Sequence, residues 1–312
     1  MKFLLSLLLA AGMMFNLQTY AQDAQSHLTK GNQLYKNKQY TEALASFNEV
    51  IRLSPNNTSG WFNRGQCYYY TGKYDMAIQD YSQTLRLNPR YVDAWFQRGL
   101  ANNKSKNNHA AVSDYSAGIA LAPNDAQLWY NRGIANTDRN SLDSAMYDYN
   151  KAIALNANYT KAYLNRSNIY FKKKDYSNAL IDVNKAIALD SNFIEAWNNR
   201  AMIYSSQFFY DLALADYNRG LKINPNHTKL YLDRGILYNK RKENTLAIAD
   251  LTQAIKLDPN YVSAYIMRGA IYFDTKQYDL SKTDIQKVLQ LAPTNKFAND
   301  LMAKINALPI KL

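Results

Sequence analysis

Residues 58–91 read TSGWFNRGQCYYYTGKYDMAIQDYSQTLRLNPRY, and this stretch of 34 residues recurs along the chain. Its proline, Pro89, has counterparts at multiples of 34 residues, namely Pro55, Pro123, Pro225, Pro259 and Pro293. Ala157 and Ser191 take the remaining two places. A fixed period of this length indicates a solenoid of helical units. We therefore expect eight repeats within 24–295, at 24–57, 58–91, 92–125, 126–159, 160–193, 194–227, 228–261 and 262–295.

Small residues recur at fixed positions when each repeat is counted from its first residue. Position 8 is Gly in six repeats and position 20 is Ala in seven. Such residues let two helices approach closely, and the apolar spacing within each half of the repeat predicts one buried face per helix. The proline at position 32 cannot continue the second helix. Each repeat is therefore predicted to be a helical hairpin that buries its core by stacking on its neighbours.

The second repeat carries a signature in Trp61, Gly65, Tyr68, Gly72, Tyr74, Ala77, Tyr81 and Pro89. This pattern resembles the tetratricopeptide repeat family, and the resemblance covers 24–295. It implies an all-α fold, a right-handed α-solenoid superhelix of eight hairpins, and a role as a protein–protein interaction scaffold or assembly factor. Departures from the pattern occur at Asn102, Asn108, Gly118 and Asn136. We expect looser packing and flexing around residues 100–142.

The two ends of the chain differ from the repeats. Residues 1–21 combine Lys2, an apolar run and small residues before Gln22, which predicts a cleaved signal peptide and a periplasmic or secreted protein. An uncleaved anchor is the alternative. At the other end, Phe297, Leu301 and Ile305 recur every four residues. Residues 296–312 are therefore predicted to be a capping helix and tail.

The composition argues against several classes of site. The formal net charge is +12, which suits nucleic acid, anionic lipid or an acidic protein as a partner. The predicted export argues against nucleic acid as the partner. The single cysteine, Cys67, cannot form an internal disulfide and is expected to be buried and inert. His27, His109 and His227 lack metal-ligand spacing. We expect no metal, no cofactor and no enzymatic activity.

Arginine at position 7 and aspartate at position 23 occur in the same seven repeats, and the first repeat lacks both. This joint occurrence predicts structural ion pairs, either within a repeat or between adjoining repeats. The candidates are Arg64, Asp80, Arg98, Asp114, Arg132, Asp148, Arg166, Asp182, Arg200, Asp216, Arg234, Asp250, Arg268 and Asp284.

Side-chain amides occupy position 6 of five successive repeats. We call Asn63, Gln97, Asn131, Asn165 and Asn199 the amide row. In the family this position faces the concave groove, and the row resembles the asparagine ladder of the O-linked N-acetylglucosamine transferase superhelix, which grips extended peptide. An amide both donates and accepts, so it can pair with any peptide unit. Apolar contact is expected from position 5, which is Phe62, Phe96, Tyr130 and Leu164.

If the amide row binds peptide, the expected partner is a protein or peptide of the bacterial cell envelope, bound as an extended segment in the groove. Solvated helix residues are the alternative explanation of the amide row.

Cations gather at positions 13–15, near the carboxyl end of the first helix, where the helix dipole stabilises them. We call Lys172, Lys173, Lys174, Lys240, Arg241 and Lys242 the basic rim. Stacking of repeats aligns these cations along one edge. The alternative function is therefore envelope-polymer binding, with a glycan or anionic lipid as ligand and peripheral association with the envelope.

Overall fold

The computed structural model describes residues 22–308, and all regular structure among them is α-helical. The helices are α1 (22–36), α2 (Tyr40–Leu53), α3 (Thr58–Tyr70), α4 (Tyr74–Leu87), α5 (Val92–Lys104), α6 (Asn108–Leu121), α7 (Ala126–Asp138), α8 (Leu142–Leu155), α9 (Thr160–Lys172), α10 (Tyr176–Leu189), α11 (Ile194–Ser206), α12 (Tyr210–Ile223), α13 (Thr228–Lys240), α14 (Asn244–Leu257), α15 (Val262–Asp274), α16 (Tyr278–Leu291) and α17 (Lys296–Asn306). The predicted fold class, eight helical hairpins followed by a capping helix, is confirmed.

The chain divides into two compact units, and the division lies within α9, after Ala162. In the first unit, α3 packs against α4 as a hairpin, and α4 packs against α5 of the next repeat. In the second unit, the pairs α11 with α12 and α12 with α13 show the same scheme. In both units, the second helix of a hairpin thus packs against the following repeat.

The predicted signal peptide and the last four residues lie outside the described residues. Within residues 22–308, no helix combines the length and the apolar character needed to cross a bilayer.

The turn between the two helices of each repeat places position 15 in the left-handed region. In the second repeat, Gly72 has φ 75°. Its N–H donates to the Tyr69 carbonyl at 3.0 Å and the Lys73 N–H donates to the Tyr68 carbonyl at 2.8 Å, which is a Schellman cap. Non-glycine residues with φ of 59–64° take this place elsewhere, namely Lys38, Lys106, Asn140, Lys174, Phe208, Lys242 and Lys276.

Close approach of the two helices depends on the small residue at position 8. A Cβ added to Gly133 would lie 2.6 Å from Cε1 of Tyr149, whose ring is fully buried. The fifth repeat has Ser167 and Val183 at these positions, and both are buried. A larger residue at position 8 is thus accompanied by a smaller one at position 24 in the fifth repeat. This is expected because the two side chains fill the same close-packed space between the helices.

The departures at Asn102 and Asn136 do not leave loose packing at these positions. Both side chains are buried, and their Nδ2 atoms donate to Oδ2 of Asp114 and Asp148 at 2.9 Å. Gly118 faces the buried Leu128, since a Cβ there would lie 2.8 Å from Cδ2 of that residue. These three residues are matched to their partners, so the expectation of looser packing is wrong for them. Asn108 Oδ1 is buried without a hydrogen-bond partner among residues 22–308, and flexing around residues 100–142 stays a prediction.

The capping helix α17 buries two of the three residues expected on its packed face. Its buried residues are Ala298, Leu301 and Ile305, which pack against Ile285 and Val288 of α16. The Asn295 side chain caps the helix by accepting from the Ala298 N–H at 2.9 Å. Phe297, expected on the packed face, is 48% exposed, because the adjacent Ala298 faces the core.

Cys67 gives a test of packing in the first hairpins. Its side chain is fully buried beside Ala43 and Phe47, and burial raises the pKa of its thiol to about 12. Because only the thiolate reacts, we expect folded protein at pH 8 to react with a thiol reagent about a thousandfold more slowly than urea-unfolded protein. Absorbance-monitored thiol titration measures both rates. Rates within tenfold of each other would show that Cys67 is accessible.

Candidate functional site

Arginine and aspartate pair across the two helices of one repeat. In the fourth repeat, Arg132 Nη2 lies 2.7 Å from Asp148 Oδ1, and the side chains are 18% and 1% exposed. The same separation of 16 residues joins all seven pairs, which are Arg64–Asp80, Arg98–Asp114, Arg132–Asp148, Arg166–Asp182, Arg200–Asp216, Arg234–Asp250 and Arg268–Asp284. The sequence had left open whether pairing is within or between repeats.

Several of these arginines also connect neighbouring repeats within one unit. Arg132 Nη1 donates to Ser116 Oγ of the preceding repeat at 3.0 Å, and its guanidinium lies 4.7 Å from the Trp129 ring centroid. Arg200 donates in the same way to Asn184 at 2.7 Å. Hydrogen bonding to Asp216 raises the pKa of the Arg200 guanidinium. These arginines are engaged by the fold and do not form an anion site.

The amide row in the first unit is partly open to solvent. Asn63, Gln97 and Asn131 are all half-buried on first helices. Asn63 Nδ2 donates to Asn32 Oδ1 at 2.8 Å, and Asn131 Nδ2 donates to the Gln127 carbonyl at 2.8 Å. Gln97 makes no side-chain hydrogen bond to any other residue within 22–308. This face therefore retains amide groups that a ligand can use.

The amide row in the second unit is less accessible. Asn165 is half-buried, but Asn199 is only 5% exposed, and its Nδ2 has no partner in the described part of the chain. In the next repeat, the equivalent position is Asp233, which pairs with Lys229 at 2.5 Å. The two units thus present different chemistry at equivalent positions.

Position 5 is divided between the core and the groove surface. Phe62 and Leu164 are buried, and the Phe62 ring lies 4.8 Å from the Tyr91 ring. Phe96 and Tyr130 are half-buried. The side chains of Phe62 and Leu164 therefore have little exposed surface for a ligand to contact, because they fill space between helices.

A pocket of about 190 Å³ lies on the first-helix face of the second unit. Apolar Phe171, Met202 and Ile236 line it together with the Lys229–Asp233 pair. These residues come from three successive repeats, so stacking brings them together. Sequence reasoning did not single out this combination, although positions 9 and 12 repeat with the period.

The basic rim has an aromatic loop between its two clusters. Every lysine of the rim is exposed, and Arg241 pairs with Asp211 at 2.5 Å and Glu243 at 2.8 Å. Phe208 lies in the hairpin turn of the intervening repeat and is 76% exposed. Its signal in the sequence was a bulky aromatic where the other repeats have Gly, Asn or Lys.

Among residues 22–308, no three His, Cys, Asp or Glu side chains are grouped so that they could hold a metal ion.

Family models of the tetratricopeptide repeat match most of the chain. Models described as Tetratricopeptide repeat match residues 59–91 and 194–227, residues 160–193 and 262–295, and residues 104–160. A further model, described as TPR repeat, matches residues 31–72 and 235–276. Comparison with curated proteins finds no match.

Solved structures share the fold. A tetratricopeptide repeat protein from Parabacteroides merdae has a TM-score of 0.67 at 17% identity, over 80% of this chain and 98% of that one. PilF of Pseudomonas aeruginosa has a TM-score of 0.58 at 16% identity, over 68% and 97%. The APC/C hetero-tetramer Cut9-Hcn1 has a TM-score of 0.64 at 16% identity, over 89% of this chain and 55% of that one. This chain therefore spans about half the length of that relative, and such identities show the fold alone.

Proposed function

We propose that this chain, which belongs to the tetratricopeptide repeat family, is a non-enzymatic scaffold that binds an extended polypeptide segment along its first-helix face. The amide row in the first unit carries the proposal. Asn63, Gln97 and Asn131 occupy equivalent places in three successive repeats and remain partly open to solvent. Their regular placement suits a ligand whose own polar groups repeat along its length.

The chemistry of an amide suits a peptide backbone. Gln97 has its full set of donors and acceptors to offer. Asn131 uses one donor hydrogen on the Gln127 carbonyl, which leaves its Oδ1 to accept from a ligand N–H. Binding through the backbone makes the interaction tolerant of ligand side chains, and the half-buried Phe96 and Tyr130 add apolar contact.

We further propose that the chain is exported and acts as an assembly factor of the bacterial cell envelope. The apolar run within residues 1–21 supports this location. The partner is then expected in the envelope fraction of the cells and not in the cytoplasmic fraction.

The test compares capture by the parent protein and by a variant with Asn63→Ala, Gln97→Ala and Asn131→Ala. The immobilised proteins are incubated with envelope and cytoplasmic extracts, and captured polypeptides are identified by mass spectrometry. We expect the parent to retain an envelope polypeptide that the triple variant loses at least tenfold, because each lost amide removes hydrogen bonds of about 1 kcal/mol.

The matched control changes exposed residues on second helices of the same unit, with Gln79→Ala and Ser113→Ala. This control should bind as the parent does, and thermal melts should show all three proteins folded. Equal capture by the parent and the triple variant would contradict the proposal. Capture that is abolished by high salt and by removal of the basic rim would instead favour the polymer-binding alternative.

A further inference from the structure

The second unit exposes two adjacent aromatic side chains at a hairpin turn. Phe208 is 76% exposed with φ 64°, and Phe209, which follows it, is 54% exposed. Bulky residues seldom adopt the left-handed region, where the backbone crowds the Cβ. Beyond the edge-to-face contact of Phe208 with Tyr210, whose ring centroids lie 6.1 Å apart, an aromatic that is both exposed and in this conformation adds little to the stability of the fold. Its presence requires another explanation.

The turns on either side lie next to this aromatic loop. Phe171, Ser206 and Lys240, at the ends of three successive first helices, line the same pocket. Arg241 of the seventh repeat bonds Asp211 of the sixth. The two clusters of the basic rim, residues 172–174 and 240–242, therefore flank Phe208 and Phe209.

The surroundings of the aromatic loop are basic. Four exposed lysines alone outnumber the carboxylates of the same turns: the lysines are Lys172, Lys174, Lys240 and Lys242, and the carboxylates are Asp175, Asp211 and Glu243. The last two of these pair with Arg241. Leu212 and Leu246, in the first turns of α12 and α14, are each about half exposed and add apolar surface.

We infer that this edge of the second unit docks on the surface of an anionic lipid bilayer, with Phe208 and Phe209 inserted between headgroups and the basic rim held against them. Phe and Leu side chains of membrane-surface segments are buried at the boundary between headgroups and acyl chains, and lysine stems reach from apolar depth to anionic headgroups. The exposed rings of Phe208 and Phe209 suit insertion into a deformable bilayer. This surface is separate from the amide row, so it goes beyond peptide binding.

The experiment measures binding of the full chain to vesicles of phosphatidylglycerol and phosphatidylcholine, and to phosphatidylcholine alone. Because residues 1–21 contain an apolar run, a local reporter is needed. Gln207→Cys carries an environment-sensitive dye beside Phe208, while the buried Cys67 stays unlabelled. We expect a blue shift of dye emission with anionic vesicles only, weakened by high salt.

The decisive variant is Phe208→Asn with Phe209→Gln, added to the dye-labelled chain. Asn140 and Gln277 occupy these positions in other repeats, so the turn should still form. Asn tolerates positive φ better than Phe, and we expect an equal or higher Tm. We expect affinity for anionic vesicles to fall about tenfold. Replacing Lys172, Lys173 and Lys174 with Gln should weaken it about a hundredfold.

Phe297→Gln is the matched control, since this Phe is also exposed but lies on α17. It should bind as the parent does. A dye shift that is the same in the parent and the aromatic-loop variant would overturn the inference, and so would equal binding to neutral vesicles. Absence of any vesicle response, together with loss of a captured protein in the Phe208→Asn, Phe209→Gln variant, would assign the surface to a protein partner and overturn the lipid assignment.

Discussion

Replacing Asp148 with Ala is expected to destabilise the protein by about 3–5 kcal/mol, the cost typical of breaking a buried ion pair by removing one partner. Asp148 is almost fully buried and accepts from both Arg132 and Asn136. The change leaves a guanidinium charge and a buried amide without their acceptor. The effect should also reach the preceding repeat, because Arg132 holds Ser116 there.

Urea denaturation followed by circular dichroism measures this effect. The matched control is Glu49→Ala, which breaks the exposed Arg52–Glu49 pair and should cost under about 1 kcal/mol. Asp148→Asn tests the role of charge, because it keeps the shape but not the bidentate acceptor. If Asp148→Ala and Glu49→Ala shift the midpoint equally, the ion pairs do not hold the hairpins together.

The second large effect is expected from Gly133→Leu, at about 3 kcal/mol or more. A Cβ at this position already falls 2.6 Å from the Tyr149 ring, so the added side chain must displace a buried aromatic. Denaturation midpoints measure the loss. Gly72→Asn is the control, since Gly72 faces open space at φ 75° and Asn tolerates that conformation.

A double-mutant cycle tests the reason for the Gly133 effect. Gly133→Ser and Tyr149→Val each destabilise alone, whereas together they recreate the Ser167 and Val183 pair of the fifth repeat. We expect the double variant to be more stable than the sum of the single changes by at least about 1 kcal/mol. If the free-energy changes of the two single variants add up to that of the double variant, the side chains at the two positions do not occupy the same space.

The period of the sequence predicts helices and hairpins well because every repeat poses the same packing problem. Residues equivalent to Arg132 and Asp148 occur together in seven repeats, and this repetition predicts an ion pair. The period cannot decide whether such a pair closes within or between repeats, since both choices give the same pattern. Nor does it show that Arg132 also bonds Ser116, because many polar residues can accept at that place.

The candidate site is less predictable than the fold. Asn63 and Asn199 share one position of the repeat, yet the first is half-buried and the second nearly fully buried. Side chains from neighbouring repeats set this difference, and they vary from one repeat to the next. Gly72 and Asn140, at the place of Phe208 in other repeats, indicate a left-handed turn there. The period alone does not show that the Phe208 ring stays exposed.

Site-specific photo-crosslinking from Gln97 tests the central claim most directly. A photoreactive aromatic residue replaces Gln97 in one protein and the exposed Ser113, on the second helix of the same repeat, in another. Each protein is irradiated in envelope extract, and the crosslinked peptides are sequenced. Peptide binding along the amide row predicts crosslinks from position 97 to one polypeptide segment and none from position 113. Equal crosslinking from both positions, or none from position 97, would contradict it.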